Sequence, residues 1–83
     1  MLLWLFSWEG IRVMINQMVL SREIEWIGYE HEKSLLQVEF ISGPVYQYAR
    51  VPLTVYESFM TAPSYGVFFE SYIKGKYPYR RVR

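Results

Sequence analysis

The residues best suited to bind a ligand in this sequence lie at its C-terminal end and in one segment near its middle. The last ten residues carry two tyrosines and no acid, and their basic side chains are Lys74, Lys76, Arg80, Arg81 and Arg83. Near the middle, Tyr46, Tyr48 and Arg50 occupy alternate positions, a spacing that places side chains on one face of a strand. Tyrosine rings beside guanidinium groups are the groups with which proteins hold unpaired bases and phosphates. These eight residues predict a surface for an anionic ligand, with RNA as the first candidate.

The remaining side chains do not favour catalysis. The sequence has no cysteine, no aspartate and a single histidine, His31, which stands between two glutamates in a polar segment. A histidine in such a setting is solvated far more often than it acts as a base or a metal ligand. The five glycines are too dispersed for a phosphate-binding loop. We therefore expect no catalytic residue, no metal site and no cofactor, and the lack of cysteine fits a cytoplasmic protein.

Charge is distributed unevenly along the 83 residues, although the net charge is only +1. Residues 1–42 contain three basic and six acidic side chains, whereas residues 43–83 contain six basic and two acidic ones. Such asymmetry is typical of a chain with an interaction tail. The plain alternative is a solvated C-terminus, since short basic ends are common.

The N-terminal segment 1–17 is predicted to be an apolar leader separate from a domain over 18–83. Its first six residues are strongly apolar, but they are too short to span a bilayer, and no basic region precedes them as in a secretory signal. Trp4, Trp8, Ile11 and Ile15 fall at helical spacing, which would suit an amphipathic helix. Alternatively the leader is an upstream extension that the fold does not need, and translation starts at Met14 or Met18. No membrane association is expected.

Three strands are predicted in the first part of the domain. Residues 24–29 are β-branched and aromatic, and residues 35–41 alternate with Leu36, Val38 and Phe40 inward and Gln37 and Glu39 outward. A turn at 42–44 leads into a third alternating segment, 45–51. Short turns between consecutive strands predict an antiparallel meander.

Two short helices are predicted after Pro52, which suits the first position of a helix. The first helix should end near Ala62, because the residue before a proline is disfavoured in the helical region. Ser64 is a candidate N-cap for the second, and Gly75 a candidate end. The predicted fold class is thus α+β: a three-stranded antiparallel β-meander, two short α-helices and a basic C-terminal tail. Both helices should cover one face of the sheet, so that Phe40, Phe59 and Phe69 are buried close together.

The tyrosines of the middle segment admit two interpretations. An exposed face would leave Tyr46 and Tyr48 free to stack on bases. A buried face would pack both rings against a helix, for example on Tyr56 and Phe59, with the hydroxyl groups at the rim. Small cores recruit aromatic side chains heavily, which favours the second arrangement.

In this order and spacing, the segments resemble the KTSC domain family, which is found at the C-terminus of some lysyl-tRNA synthetases and as small bacterial proteins. The similarity runs from Ser21 to Val82. Its main carriers are Ile27-Gly28-Tyr29, Leu36-Gln37-Val38-Glu39-Phe40, Tyr46-Gln47-Tyr48, Val51-Pro52, Ala62-Pro63-Ser64 and Tyr77-Pro78-Tyr79-Arg80-Arg81-Val82. Through the link of this family to a tRNA enzyme, the resemblance implies RNA binding. The family often has a basic residue at the position of Tyr65 and asparagine at that of Glu70, so phosphate contacts along the second helix are not expected.

A second class of function remains open at this point. An apolar leader helix or an exposed strand edge could bind a protein partner or a second copy of the chain instead of RNA.

Overall fold

The computed structural model describes residues 15–83, and these form one antiparallel sheet with helices packed on one face. The strands are β1 (Ile15–Met18), β2 (Ile24–Glu30), β3 (Leu35–Phe40), β4 (Val45–Tyr48) and β5 (Tyr79–Arg81). Between β4 and β5 lie helix α1 (Leu53–Met60) and helix α2 (Tyr65–Phe68), which continues as a π-helical turn over Phe69–Ile73. The strands are hydrogen-bonded in the order β1-β2-β3-β4-β5.

The α+β class and the two helices are confirmed, but the prediction of three strands is wrong because the sheet has five. β1 was missed because Asn16 and Gln17 interrupt its apolar residues and Ile15 fits a helical spacing. It also places the predicted boundary after residue 17 inside a strand, while the rest of the predicted leader lies outside the described residues. β5 was missed because it is only three residues long and all three are exposed, two of them arginines. β1 and β5 are edge strands, which tolerate polar and charged residues, so neither shows the usual alternation of apolar and polar residues.

The core lies between the sheet and the helices. β2 directs Ile27 toward the helices and β3 directs Leu36 and Val38 toward them, and all three are fully buried. Phe59 and Ile73 meet them from the helical layer. The β2–β3 register confirms that Leu36, Val38 and Phe40 point toward the helices, although Phe40 is only half-buried.

Gln37 departs from its predicted environment. It lies on the sheet face opposite the helices, as expected, but its side chain is only 2% exposed. A buried amide needs hydrogen-bonding partners, so this position is more than a solvent-facing strand residue.

The three phenylalanines divide between two aromatic groups. Phe40 and Phe69 are in edge-to-face contact, with ring centroids 5.4 Å apart. Phe59 stacks instead on Phe68 at 5.3 Å and meets the edge of Tyr65 at 6.1 Å. All three side chains nevertheless belong to one hydrophobic core, since Phe59 and Phe69 are buried in it and the half-buried Phe40 packs against it, as predicted.

The third predicted strand ends earlier than expected. β4 stops at Tyr48, and Arg50 takes a left-handed backbone conformation with φ of 59°. The chain then turns, and the amide of Val51 donates to the carbonyl of Ser34. Arg50 consequently does not continue the strand face of Tyr46 and Tyr48, and the prediction of one shared face fails for it.

The helices begin close to where the sequence indicates. Pro52 is the N-cap of α1 rather than its first residue, and its carbonyl accepts from the amides of Val55 and Tyr56. Ser64 is the N-cap of α2, as predicted, and its hydroxyl accepts from the amide of Val67. Gly75 has a φ of 78° and follows the last turn, which a residue without a side chain allows at little cost.

The π-helical turn decides which aromatic side chains of this segment are buried. The amide of Lys74 donates to the carbonyl of Phe69, five residues back. The wider turn brings Phe69 and Ile73 toward the sheet and leaves Tyr72 60% exposed. Among the described residues, no helix is long and apolar enough to cross a membrane.

Candidate nucleic-acid interface at the β4–β5 edge

Pairing between β4 and β5 brings the middle tyrosines and the C-terminal arginines together. The register sets Tyr46 opposite Arg81, Gln47 opposite Arg80, and Tyr48 opposite Tyr79. Since side chains alternate across a sheet, Tyr46, Tyr48, Tyr79 and Arg81 share the helix-side face. Gln47 and Arg80 lie on the opposite face. The segments are distant in sequence, and the sheet makes them neighbours.

The three tyrosines form a compact group, here called the tyrosine cluster (Tyr46, Tyr48 and Tyr79). The ring centroid of Tyr79 lies 5.7 Å from those of both Tyr46 and Tyr48, and the latter two are 6.4 Å apart. Exposure decreases across the cluster: Tyr79 is 62% exposed, Tyr46 is half-buried, and Tyr48 is 3% exposed. The cluster therefore offers Tyr79 and part of Tyr46 to a ligand, with Tyr48 beneath them.

Tyr48 belongs to the core. Its ring meets the edge of Phe69 at 5.7 Å. Burial raises the pKa of its hydroxyl to about 12, with smaller contributions from the neighbouring Tyr46, Tyr79 and Glu70. The buried interpretation holds for Tyr48, but its partner is Phe69.

Tyr56 and Phe59, the partners suggested for buried Tyr46 and Tyr48, contact other aromatic rings instead. Tyr56 stacks on Tyr29 with centroids 4.6 Å apart, and burial raises the pKa of Tyr56. Tyr29 in turn donates its hydroxyl hydrogen to the carbonyl of Val51 at 2.6 Å. This pair fixes α1 against the centre of the sheet, away from the β4–β5 edge.

The three C-terminal arginines have different partners. Arg80 donates to the amide oxygen of Gln47 from Nε at 3.3 Å and from Nη2 at 3.2 Å. Arg83 forms an ion pair with Glu39, which compensates its charge. Arg81 donates from Nε to the carbonyl of Arg83 at 2.9 Å and remains exposed. Arg80 and Arg81 therefore contact neutral acceptors, whereas Arg83 contacts a carboxylate.

The other predicted basic residues lie outside this arrangement. Lys74 is 3.6 Å from the carboxylate of Glu70, an exposed pair of the kind that contributes little to stability. Lys76 is exposed after the π-helical turn, and Arg50 is exposed beyond the end of β4. They can add to the positive potential, but the contacts of the tyrosine cluster do not include them.

Two features of this edge were not identified from the sequence. Tyr79 is the most exposed ring of the cluster, and the available signal was its position at alternate spacing from Arg81 in a segment that follows a proline. The hydrogen bonds joining Gln37, Gln47 and Arg80 are the other feature. The matching positions of two glutamines in adjacent strands could have indicated that pair, but Arg80 could not be added without knowing that β5 exists.

Comparison with known proteins identifies the family. The model of the KTSC domain matches residues 20–77, and the chain belongs to this family. A KTSC domain protein of Yersinia pestis has the same fold, with a TM-score of 0.81 and 39% identity, over 86% of this chain and all of that one. The resemblance of the sequence to this family is thus confirmed.

Relatives occur both as parts of longer proteins and as small proteins. A lysine–tRNA ligase of Trichormus variabilis is 48% identical over 54 residues, which are 65% of this chain and 10% of the ligase. A protein of Stutzerimonas stutzeri is 36% identical over 63 residues, which are 75% of this chain and 89% of that protein. The chain therefore spans about a tenth of the length of the ligases it matches.

Proposed function

We propose that this domain is a non-enzymatic binding module that holds RNA at the β4–β5 edge. The observation that carries the proposal is the register of the two strands, which places the exposed Tyr79 ring beside Tyr46 and Arg81. An exposed ring can stack on an unpaired base, and stacking tolerates any base because each has a π-face. Arg81 can contact a phosphate at the same time.

The contacts of Tyr79 and of most predicted site residues indicate their roles, and Arg80 is considered separately below. Tyr79 and Tyr46 would stack, Arg81 would contact phosphate, and Tyr48 would support both rings from below. Arg50, Lys74 and Lys76 would act through long-range attraction. Arg83 contributes less, because its ion pair with Glu39 must be broken before it can bind a phosphate.

The relatives support RNA as the class of ligand. The name of the matching lysine–tRNA ligase of Trichormus variabilis refers to an RNA, and the matching segment of 54 residues is about the size of this domain. The neutral amide and carbonyl partners of Arg80 and Arg81 also support an anionic ligand, since these contacts leave the arginine charges uncompensated.

A binding role without catalysis is part of the proposal, as is a cytoplasmic location for a chain without cysteine. Within residues 15–83, no group of three or more candidate ligands could hold a metal ion. Burial is the main cause of the raised pKa values of Tyr48 and Tyr56. His31 lies exposed in the turn between β2 and β3. These observations favour a surface that binds over a site that reacts.

Binding of a short single-stranded RNA, measured by fluorescence anisotropy, tests the proposal. Replacing Tyr79 by alanine should weaken binding by roughly 1–3 kcal/mol, the usual contribution of one stacked base. Tyr72→Ala is the matched control, because Tyr72 is a tyrosine of nearly equal exposure on the helical layer. The dependence on salt should stay the same in both variants, since no charge changes.

Two results would count against RNA. One is an equal loss in the Tyr79 and Tyr72 variants, and the other is no binding at ~50 mM salt, where electrostatic attraction is strongest. The second result would favour a protein partner or a second copy of the chain. A dimer formed by pairing the β5 strands of two copies is disfavoured, since it would bring like-charged arginines together.

A further inference from the structure

We infer that a groove beside β5, on the face opposite the tyrosine cluster, is a subsite for one nucleotide of the bound RNA, with Arg80 as its phosphate ligand. The inference rests on the proposed function, because it specifies which part of an RNA strand binds on the second face of the same edge. Its main residues, Gln37, Gln47 and Arg80, lie on the face opposite the tyrosine cluster, and Tyr79 of the cluster lines one side of the groove.

The groove has the size and lining of a small-ligand site. Its volume is about 430 Å³, within the range of roughly 300–1,000 Å³ for small-molecule pockets, and it is open to solvent. Lys33 and Arg80 are its basic lining residues, and no carboxylate lines it among the described residues. Leu35 and Pro78 give it an apolar wall, while Gln47 adds an amide. A phosphate with an attached nucleoside suits this combination.

Arg80 is held in place by two glutamines in series. The buried Gln37 accepts a hydrogen bond from Nε2 of Gln47 at 2.8 Å. The Oε1 atom of Gln47 then accepts from Nε and Nη2 of Arg80. Because a guanidinium group can only donate, Gln47 must turn its oxygen toward Arg80 and its NH₂ group toward Gln37. The three side chains therefore have one consistent arrangement, anchored in the sheet.

This arrangement fixes the guanidinium group without neutralising it. Arg83, by contrast, binds the carboxylate of Glu39 and has its charge compensated. Two of the five N–H groups of Arg80 go to Gln47, and the other three are available in a planar fork that matches a phosphate. An arginine oriented before the ligand arrives loses less conformational freedom on binding. Gln47 is thus a positioning residue, and Arg80 is the residue that binds.

The test is a titration of the full chain with uridine 5′-monophosphate, followed by NMR. Uridine and inorganic phosphate are titrated in parallel to separate the two parts of the nucleotide. Arg80→Gln should weaken binding of the nucleotide by about tenfold or more, the loss expected when charge-assisted hydrogen bonds disappear. Arg22→Gln is the matched control, because it removes the same charge from an exposed arginine outside the groove, and it should leave nucleotide binding unchanged.

Two substitutions of Gln47 separate positioning from charge. Gln47→Met keeps the side-chain length but removes the acceptor, so binding should weaken and the Arg80 Nε–H resonance should shift to the position of a solvated arginine. Gln47→Glu keeps an acceptor for Arg80 but compensates its charge, so that resonance should persist while binding weakens. A merely structural role for Gln47 would not separate the two readouts in this way.

The inference is overturned if uridine binds as well as its monophosphate, or if Arg80→Gln has no effect on the nucleotide. Its failure differs from that of the proposed function. RNA binding that depends on Tyr79 but not on Arg80 would reject the subsite alone. A nucleotide that requires Arg80, in a protein that does not bind RNA strands, would reject the proposed function and retain the subsite.

Discussion

At the residue scale, Tyr48 should make stability depend on pH in the alkaline range. Its pKa is raised to about 12 in the folded protein, against 10.0 for an ordinary tyrosine. Between these values the unfolded chain has lost the proton and the folded protein retains it, so stability falls as the pH rises from 10 toward 12. Tyr48→Phe should remove part of this decrease. Thermal melts of both proteins across that range measure it, and parallel pH curves would contradict the assignment.

The hydroxyl of Tyr29 offers a second prediction at this scale. It donates to the buried carbonyl of Val51, while its ring stacks on Tyr56. Tyr29→Phe keeps the ring and leaves the carbonyl unsatisfied, so we expect a loss of about 1–3 kcal/mol in the free energy of unfolding. Urea denaturation measures the loss. Tyr72→Phe, which changes an exposed hydroxyl, is the control and should be nearly neutral.

At the scale of elements, the burial of one side chain should contribute most to holding α1 on the sheet. Phe59 is its fully buried residue, and it packs between the sheet and the ring of Phe68. Phe59→Ala should cost about 3–5 kcal/mol, a large part of the stability of a domain this small. Leu53→Ala in the same helix alters a residue that is 37% exposed, and it should cost much less. Similar costs for the two variants would show that α1 is not held by Phe59.

The elements that could be predicted from the sequence are those set by local contacts. β2 is rich in β-branched and aromatic residues, and β3 and the start of β4 alternate clearly. Short turns join the three strands, one of which uses Gly43 at a φ of 122°. The helix starts at Pro52 and Ser64 follow from their own chemistry. The π-helical turn over Phe69–Ile73 could not be foreseen, because the same residues also fit an α-helical stripe.

The candidate site was only half predictable for a different reason. The residue types were visible, since the tyrosines and arginines are conspicuous in the sequence. Their arrangement depends on the pairing of β4 with β5, and Tyr48 and Tyr79 are far apart in the chain. Burial of Tyr48, the turn at Arg50 and the compensation of Arg83 by Glu39 are all consequences of tertiary contacts. No local sequence pattern could have predicted these three features.

At the scale of the whole molecule, the position of a charge should matter more than the net charge. Arg81→Gln and Arg22→Gln each change the net charge from +1 to zero, but only Arg81 lies at the β4–β5 edge. Arg81→Gln should weaken RNA binding and reduce the slope of log affinity against log salt by about 0.7, the value for one phosphate contact on a single strand. Arg22→Gln should leave the slope unchanged. Binding isotherms of both variants at several salt concentrations give these slopes. Equal slopes would show that the arginines act only through diffuse electrostatic attraction.

The pairing of β5 with β4 also has a kinetic consequence. The two strands are separated by both helices in the chain, so their contact closes one of the longest loops in the described fold. We expect this pairing to form late during folding. It should also be among the first parts of the native structure to open by local unfolding. Each opening would release the amide of Ala49 from the carbonyl of Pro78 and uncover the ring of Tyr48. The domain would then briefly present two adjacent tyrosines on β4, so the rate of local opening could govern how quickly a single strand gains access to the inner ring.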